Sequence, residues 1–238
     1  DGFITLYQMD GEFATNSLGP AQKWNKLSVQ TNIKGDTSET TQIILQILGN
    51  KDNQNKVLLE KNIQSNSEEI DLSTDDFKDS RYLQLKMKFN RSNIDFNPSF
   101  KGFALEFLPV PEFAMIKSKT TIEDSSKMRG NPSKMHYAFE NLSLRTSVDS
   151  VLFNIVNYTQ SGSYQFFQKT YHNINSNTVI IDSIPLQTDL LSKYNQLTST
   201  INPSAIVPES YNFNNSTIND FYVFEDTIKP IIRTTFDG

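Results

Sequence analysis

The chain has 238 residues, of which 37% are hydrophobic, and a formal net charge of −5 at pH 7. This length fits one large or two ordinary domains, and the 17 Phe and 9 Tyr are enough to build a packed core, which excludes wholesale disorder. The basic residues are scattered, whereas a nucleic-acid-binding domain concentrates them on one face, so we expect no nucleic-acid partner. The absence of cysteine excludes disulfides and thiolate chemistry, and no apolar run reaches the roughly 20 residues that span a bilayer.

The first half of the chain alternates apolar and polar residues with a period of two, which is typical of half-buried β-strands. Clusters of Asn, Asp, Ser and Gly separate the alternating segments and supply turn chemistry, and Gly49–Asn53 predicts a hairpin loop. The predicted strands are Phe3–Met9, Leu27–Ile33, Ile43–Leu48, Lys56–Glu60, Glu69–Leu72, Tyr82–Phe89 and Phe103–Phe107.

The alternation is interrupted at Leu108–Glu112, where Pro109 and Pro111 remove backbone donors and favour an extended linker. We therefore predict a domain boundary at this segment. One domain would cover residues 1–110 and a second would cover residues 111–238.

The second half resumes the strand pattern after a polar stretch that runs to Pro132. A helical turn is expected within Leu186–Leu197, and Gln187–Glu209 is interpreted as a long polar passage. About seven short strands in roughly 125 residues are typical of an immunoglobulin-like sandwich. The predicted strands are Lys134–Asn141, Val151–Tyr158, Ser163–Gln168, Thr178–Ile184, Asn219–Phe224 and Ile231–Thr235.

The inventory of polar side chains disfavours catalysis by this segment. The only histidines are His136, which we place on the solvent-facing side of a strand, and His172, which we place in a polar turn. No G-x-S-x-G elbow, Gly-rich phosphate loop or H-E-x-x-H motif occurs. The adjacent acids Glu68-Glu69 and Asp75-Asp76 cannot converge on one glycosidic bond, because neighbours on a strand point to opposite faces. We therefore predict no catalytic and no cofactor-binding residue.

Four aspartates lie close together in the sequence and are candidate calcium ligands: Asp71, Asp75, Asp76 and Asp79. Loops of β-sandwiches often gather oxygen ligands, and a hard cation needs several of them at once. Their spacing does not match the EF-hand loop, so solvated turns are the competing interpretation.

Aromatic residues leave open a platform for carbohydrate, since rings stack on the apolar faces of sugars. At alternating positions, however, such residues are more often core residues or cross-strand pairs. Trp24 follows Gly19-Pro20 at the start of a strand, which favours a structural anchor over a ligand stack. The dense aromatic groups are Tyr158, Tyr164, Phe166, Phe167 and Tyr171, and then Phe221, Tyr222 and Phe224.

Several short motifs occur in a characteristic order along nearly the whole chain. Those of the first half are Gly19–Trp24, Asp71–Ser73, Tyr82–Leu85 and Val110–Glu112. Those of the second half are Phe139–Asn141, Val148–Leu152, Asn212–Asn215, Phe221–Val223 with Asp226, and Pro230–Gly238. This order resembles the region downstream of the protease-like domain in PorU-type, gingipain-related proteins of Bacteroidota.

The resemblance implies a jelly-roll-like module followed by an immunoglobulin-like, CARDB-like module, in a protein that the type IX secretion system exports to the cell surface or the medium. The catalytic Cys and His of that family belong to a caspase-like domain, so no catalytic residue is carried over. Pro111, Asn214 and Asn215 are interpreted as structural, because paired amides can satisfy backbone groups where a long loop enters a strand.

The expected function is therefore that of a non-catalytic structural and interaction segment. Its partners would be neighbouring domains of the same protein or outer-membrane secretion components. The alternative is a carbohydrate-binding module of a surface enzyme or adhesin, with glycan bound to the first sandwich.

Overall fold

The computed structural model of the chain describes residues 10–33, 42–51, 54–90, 98–225 and 227. The predicted strands Phe3–Met9 and Ile231–Thr235 lie outside these residues. Within them, the regular elements are β-strands and one short 3-10 helix at Lys117–Lys119, so the all-β prediction is confirmed. The chain divides into two compact units, Asp1–Val110 and Pro111–Gly238.

The first unit contains seven described strands in two antiparallel sheets. They are β1 (Asp10–Ala14), β2 (Ala21–Asn32), β3 (Gln42–Lys51), β4 (Gln54–Ile63), β5 (Ser67–Asp71), β6 (Leu83–Asn90) and β7 (Ser99–Pro109). One sheet has the order β1-β6-β3-β4 and the other has the order β5-β2-β7. The chain crosses from one sheet to the other at every connection except β3–β4, which is the connectivity of a jelly roll.

The core of the first unit follows from the period-two pattern. Leu85 and Met87 of β6 lie opposite Ile47 and Leu45 of β3, and all four side chains are buried. Because cross-strand partners share a face, the alternation builds one continuous apolar surface. The predicted hairpin joins β3 and β4, but Gly49–Lys51 continues β3, so the connection is shorter than the sequence suggested.

Nine strands lie in the described residues of the second unit. They are β8 (Phe113–Met115), β9 (Thr121–Ile122), β10 (Ser126–Met128), β11 (Ser133–Asn141), β12 (Val148–Thr159), β13 (Gly162–Ile174), β14 (Thr178–Leu186), β15 (Tyr194–Ile201) and β16 (Ser216–Phe224). One sheet has the order β10-β16-β15-β12-β13, and the other has the order β14-β11-β8, with β9 also paired to β11. The two sheets enclose a single core, in which the rings of Tyr137 on β11 and Phe153 on β12 stack with centroids 4.2 Å apart. This unit is an immunoglobulin-like sandwich.

The predicted helical turn at Leu186–Leu197 is wrong, because the segment forms short turns and then enters β15. The interpretation of Gln187–Glu209 as a polar passage missed this strand. Its inward positions include Asn195 and Ser199, which are fully buried beside Leu197, so polar residues interrupt the apolar alternation. Asn195 is tolerated there because its amide donates to the Ser192 carbonyl and its oxygen accepts from Asn157 Nδ2, at 2.6 and 2.9 Å.

Candidate interaction surface

Trp24 lies in the core of the first unit and is 3% exposed. Its indole N–H donates to the carbonyl oxygen of Ser80 at 2.6 Å, and its ring centroid is 5.2 Å from that of Phe107. A cleft of about 390 Å³ lies beside it and is lined by Gln22, Lys23, Leu72, Ser73, Lys78 and Leu108 as well as Trp24. The buried ring offers no face on which a sugar could stack.

The four candidate calcium ligands do not converge. Asp71 accepts a hydrogen bond from the Ser73 amide at 2.8 Å, and the hydrogen bonds from Ser73 lower its pKa. Asp75 forms an ion pair with Lys78 at 3.1 Å. In the described part of the chain, no group of three or more His, Cys, Asp or Glu residues is positioned to hold a metal ion.

The other polar candidates of the first unit also have separate partners. Glu68 pairs with Lys61 and Glu69 pairs with Lys26, so the adjacent acids face different cations. In the second unit, His136 lies 3.7 Å from Glu123. None of these pairs assembles a nucleophile with a base.

The structure places Asn214 and Asn215 in a network of two carboxylates at one end of the second unit. Asn214 Nδ2 donates to Glu112 Oε1 at 3.1 Å, and Asn215 Nδ2 donates to Glu209 Oε1 at 2.8 Å. The side-chain amides therefore bind carboxylates, rather than the backbone groups that the sequence suggested. Backbone hydrogen bonds are made instead by the main-chain carbonyl oxygens of Asn214 and Asn215. They accept hydrogen bonds from the Met115 and Ile201 amides at 2.9 and 3.0 Å.

Glu209 is the most enclosed carboxylate of this network. Its Oε2 accepts from the Phe113 amide at 2.7 Å, while its Oε1 accepts from the side-chain amides of Asn202 and Asn215. Burial raises the pKa of Glu209 above its ordinary value, against the opposing effect of these hydrogen bonds. Asn202 adopts a left-handed φ of 52°, and its amide also bonds both backbone groups of Val207.

Glu112 joins two loops of the second unit. Its Oε2 accepts from the backbone amides of Ser210 and Tyr211, both at 3.1 Å. Its own backbone bonds the other loop, because its N–H donates to Ser143 Oγ at 2.8 Å and its carbonyl accepts from Leu142 N at 2.7 Å. The β11–β12 loop and the β15–β16 loop therefore lie side by side.

Asn141 holds the β11–β12 loop in place. It is fully buried, and its amide donates to the carbonyls of Thr146 and Asn175 at 2.9 and 3.1 Å. Its oxygen accepts from the Ser143 amide at 3.2 Å. Side-chain hydrogen bonds of Asn141, Glu112 and Glu209 thus hold both loops.

The two loops present large apolar side chains to solvent. Leu144 and Phe213 are each 83% exposed, and the rings of Tyr211 and Phe213 lie 5.6 Å apart. We call this set the loop surface; it consists of Leu142, Leu144, Ile206, Tyr211 and Phe213. Exposed apolar side chains grouped on neighbouring loops are a common feature of contact sites.

Sequence reasoning missed Glu112, Asn202 and Glu209 as parts of one network. In the sequence, Glu112 stands out only as the last residue of the motif Val110–Glu112. Glu209 stands out only as the last residue of the polar passage Gln187–Glu209. A signal existed in Asn202-Pro203, because Asn before Pro is typical of a turn. The pairing itself joins residues about 100 positions apart in sequence, which no local pattern reports.

A second polar cluster lies between the two sheets at the β13–β14 side of the sandwich. Tyr137 and Tyr171 share a hydroxyl hydrogen bond of 2.9 Å, and Tyr171 donates to Asp182 Oδ2 at 2.8 Å. Lys169 also donates to Asp182, at 2.6 Å, and this hydrogen bond lowers the pKa of Asp182 to about 2. Burial raises the pKa of Tyr137 to about 12 and raises that of Tyr171 as well, so neither phenol ionises near neutral pH.

Asp182→Asn is expected to remove part of the acid sensitivity of the second unit. Because the pKa of Asp182 is lower in the folded state, its contribution is complete above about pH 4 and is lost as the pH falls towards 2. The carboxylate is about one-third exposed, so we expect about 1 kcal/mol after allowing for solvent screening. The measurement is urea unfolding at pH 6 and pH 2.5. An equal loss between the two pH values in the variant and the unmodified chain would contradict this assignment.

Comparisons with known proteins show resemblance only at the level of fold. No family model matches the chain, and no curated protein matches it. It is similar to the CARDB domain of a Pyrococcus furiosus protein, which was crystallised in complex with di-metal ions. The sequence identity is 14% over 48% of this chain and 90% of that chain, and the TM-score is 0.40. It is also similar to Bacteroides uniformis β-glucuronidase, at 10% identity over 91% of this chain and 26% of that chain, with a TM-score of 0.30. A glycosyl hydrolase family 2 member from Bacteroides cellulosilyticus gives 6% identity over 90% of this chain and 28% of that chain, with a TM-score of 0.31. The chain thus spans little more than a quarter of either of these two proteins.

Proposed function

We propose that the chain is a non-catalytic accessory segment of an exported bacterial cell-surface protein linked to type IX secretion, and that its loop surface docks a neighbouring folded domain of that protein. The observation that carries the proposal is the loop surface itself. Five large apolar side chains face solvent on loops that partly buried carboxylates and their amide partners hold in place.

The support beneath the loop surface favours docking over a chance exposure of apolar groups. Phe213 is followed directly by Asn214 and Asn215, whose amides bind the two carboxylates. Leu142 and Leu144 flank Ser143, which bonds both Asn141 and Glu112. Aromatic and aliphatic side chains on a preorganised support lose little conformational freedom on binding, which is what an interface requires.

The export part of the proposal rests on the ordered sequence motifs, from Gly19–Trp24 to Pro230–Gly238. Across the described residues, no helix combines the length and apolar character that crossing a membrane requires. Disabling the type IX translocon in the native bacterium should leave the parent protein inside the outer membrane. Its continued appearance at the cell surface would contradict this part.

The docking part can be tested with a photo-crosslinking amino acid in the parent protein, produced in its own bacterium. We expect the group at Phe213 to give defined adducts with another domain of the parent protein, which mass spectrometry can map. The matched control is the same group at Ile181, which is 61% exposed on β14 and outside the loop surface. Equal or absent adducts at the two positions would contradict a docking role.

With the crosslinking group placed at Tyr211 of the parent protein, the double substitution Leu144→Asp and Phe213→Asp should abolish the adducts that Tyr211 otherwise gives. Because both side chains are mostly exposed, the change should leave the free energy of unfolding within about 0.5 kcal/mol of the original value. Thermal unfolding of the purified chain checks this. A large loss of stability would show that the two side chains serve the unit's own fold instead.

A further inference from the structure

The outward face of the five-stranded sheet carries a second group of exposed aromatic residues. On β16 the odd-numbered Phe221 and Val223 enter the core, whereas Tyr222 and Phe224 face outward and are 51% and 46% exposed. Phe and Tyr at these outward positions add nothing to the core. Their presence on a solvent face calls for a different explanation.

The strand register brings two further rings to this face. Tyr194 on β15 lies directly opposite Tyr222, with ring centroids 5.2 Å apart. Tyr158 on β12 lies opposite Gln196, which in turn lies opposite Asp220, so it shares a row with residues of β15 and β16. Since strands are spaced about 4.8 Å apart, Tyr158 lies roughly 10 Å from β16. We call Tyr158, Tyr194, Tyr222 and Phe224 the sheet platform.

Hydrogen-bonding groups alternate with the rings of the sheet platform. Asp220 Oδ1 accepts from the Tyr194 hydroxyl at 2.9 Å and from Gln196 Nε2 at 3.3 Å. The Thr200 and Ser216 hydroxyls are 2.9 Å apart two rows further along the same face, beyond the row of Thr198 and Ile218. These amide, hydroxyl and carboxylate groups can both donate to and accept from the hydroxyls of a ligand.

The charge of this face limits the ligand class. The outward positions of β12, β15 and β16, all within the described residues, include Asp220 but no Lys or Arg. On β13 the partners of outward β12 residues are also uncharged near the platform, namely Ser163 opposite Tyr158 and Gln165 opposite Val156. A polyanion such as a nucleic acid or a sulfated glycan would find no Lys or Arg on these three strands. Lys127 and Arg129, which lie next to β16, are already paired with Asp124 and Glu225.

We propose that the sheet platform binds a neutral polysaccharide chain. Pyranose rings present apolar C–H faces that stack on aromatic rings, and equatorial hydroxyls that pair with amides and carboxylates. Tyrosine rings on paired strands have few rotatable bonds, so little entropy is lost when they bind. The proposal differs from the sequence-based expectation, which put glycan on the first sandwich, and it does not depend on the loop surface.

The test uses the full 238-residue chain and isothermal titration with cellohexaose, xylohexaose, mannohexaose and maltohexaose as separate probes. We expect at least one of these hexasaccharides to bind, and Tyr222→Ala to weaken that binding about tenfold. The matched control is Tyr82→Ala, which removes a tyrosine that is 38% exposed in the first unit and should leave binding unchanged.

Two further measurements keep the test decisive. Thermal unfolding should show Tyr222→Ala to be folded, since an exposed cross-strand pair contributes only about 0.2–1 kcal/mol. A charged probe, an alginate hexamer, should bind more weakly than the preferred neutral probe. Failure of all four neutral hexasaccharides to bind, equal weakening by Tyr222→Ala and Tyr82→Ala, or tighter binding of alginate would each overturn the proposal.

Discussion

Glu209→Ala is expected to lower the free energy of unfolding of the second unit by about 3 kcal/mol. The substitution leaves the Phe113 amide and the side-chain amides of Asn202 and Asn215 without the acceptor that each now has. Buried donors without a partner each cost about 1–3 kcal/mol, and the three donor residues are each at most 6% exposed. Urea unfolding followed by far-UV circular dichroism measures the change, and hydrogen exchange at the Phe113 amide reports it locally.

The control is Glu123→Ala, which removes an exposed carboxylate of the same unit and should change stability by less than about 0.5 kcal/mol.

The Glu209→Gln variant separates the effect of the charge on Glu209 from the effect of its hydrogen bonds. The pKa of Glu209 is raised in the folded state, so ionisation lowers stability as the pH rises past the unfolded value, and glutamine should remove this pH dependence. Glutamine still supplies only one acceptor oxygen, so it should remain less stable than the unmodified chain at neutral pH. Alanine and glutamine variants as stable as the original would contradict the role of Glu209.

The partly buried carboxylate of Glu209 also connects stability to function, because it joins β8 to the β15–β16 loop. The Glu209 and Glu112 networks hold the backbone on both sides of Phe213, and the Phe113 amide belongs to the first strand of the unit. Loss of Glu209 should therefore release the β15–β16 loop and the aromatic residues that it presents. We expect Glu209→Ala to reduce crosslinking at Phe213 even at temperatures where the unit stays folded.

Much of the architecture was predictable because it rests on local alternation. Leu83, Leu85, Met87 and Phe89 repeat every second residue, and all four are buried in β6. The same regularity exists along β12, where Val151, Phe153 and Ile155 face the core. Such strands can be recognised from sequence because one face is purely apolar.

The rest was not predictable because the structure there depends on buried polar residues and distant pairs. Strand β15 was missed since Asn195 and Ser199 occupy inward positions. The network of Glu112 and Glu209 joins residues that no local rule relates. The sheet platform depends on the register that sets Tyr194 beside Tyr222, which sequence alone does not specify. The features that sequence reasoning did not predict thus include both proposed interaction sites, the loop surface and the sheet platform.

Gly19→Ala is expected to destabilise the first unit by about 3 kcal/mol. Gly19 has a φ of +127°, a conformation that a residue with a side chain rarely adopts. A Cβ at this position would lie 2.5 Å from the Arg81 carbonyl oxygen, which already accepts from the Ala21 amide at 2.9 Å. Because that bond begins β2, the carbonyl cannot move without disturbing the strand that carries Trp24. Trp24 is the only tryptophan, so its fluorescence during urea unfolding follows this unit directly.

Gly102→Ala is the matched control within the same unit. A Cβ there would meet no atom within 4 Å, so the substitution should change stability by no more than about 0.5 kcal/mol. The difference in stability between the two variants separates the general effect of adding a methyl group from the specific need for glycine at position 19. It also gives a physical reason for the motif Gly19–Trp24, whose glycine permits the close approach to Arg81 and whose tryptophan bonds Ser80. Equal losses for the two glycine variants would remove that explanation.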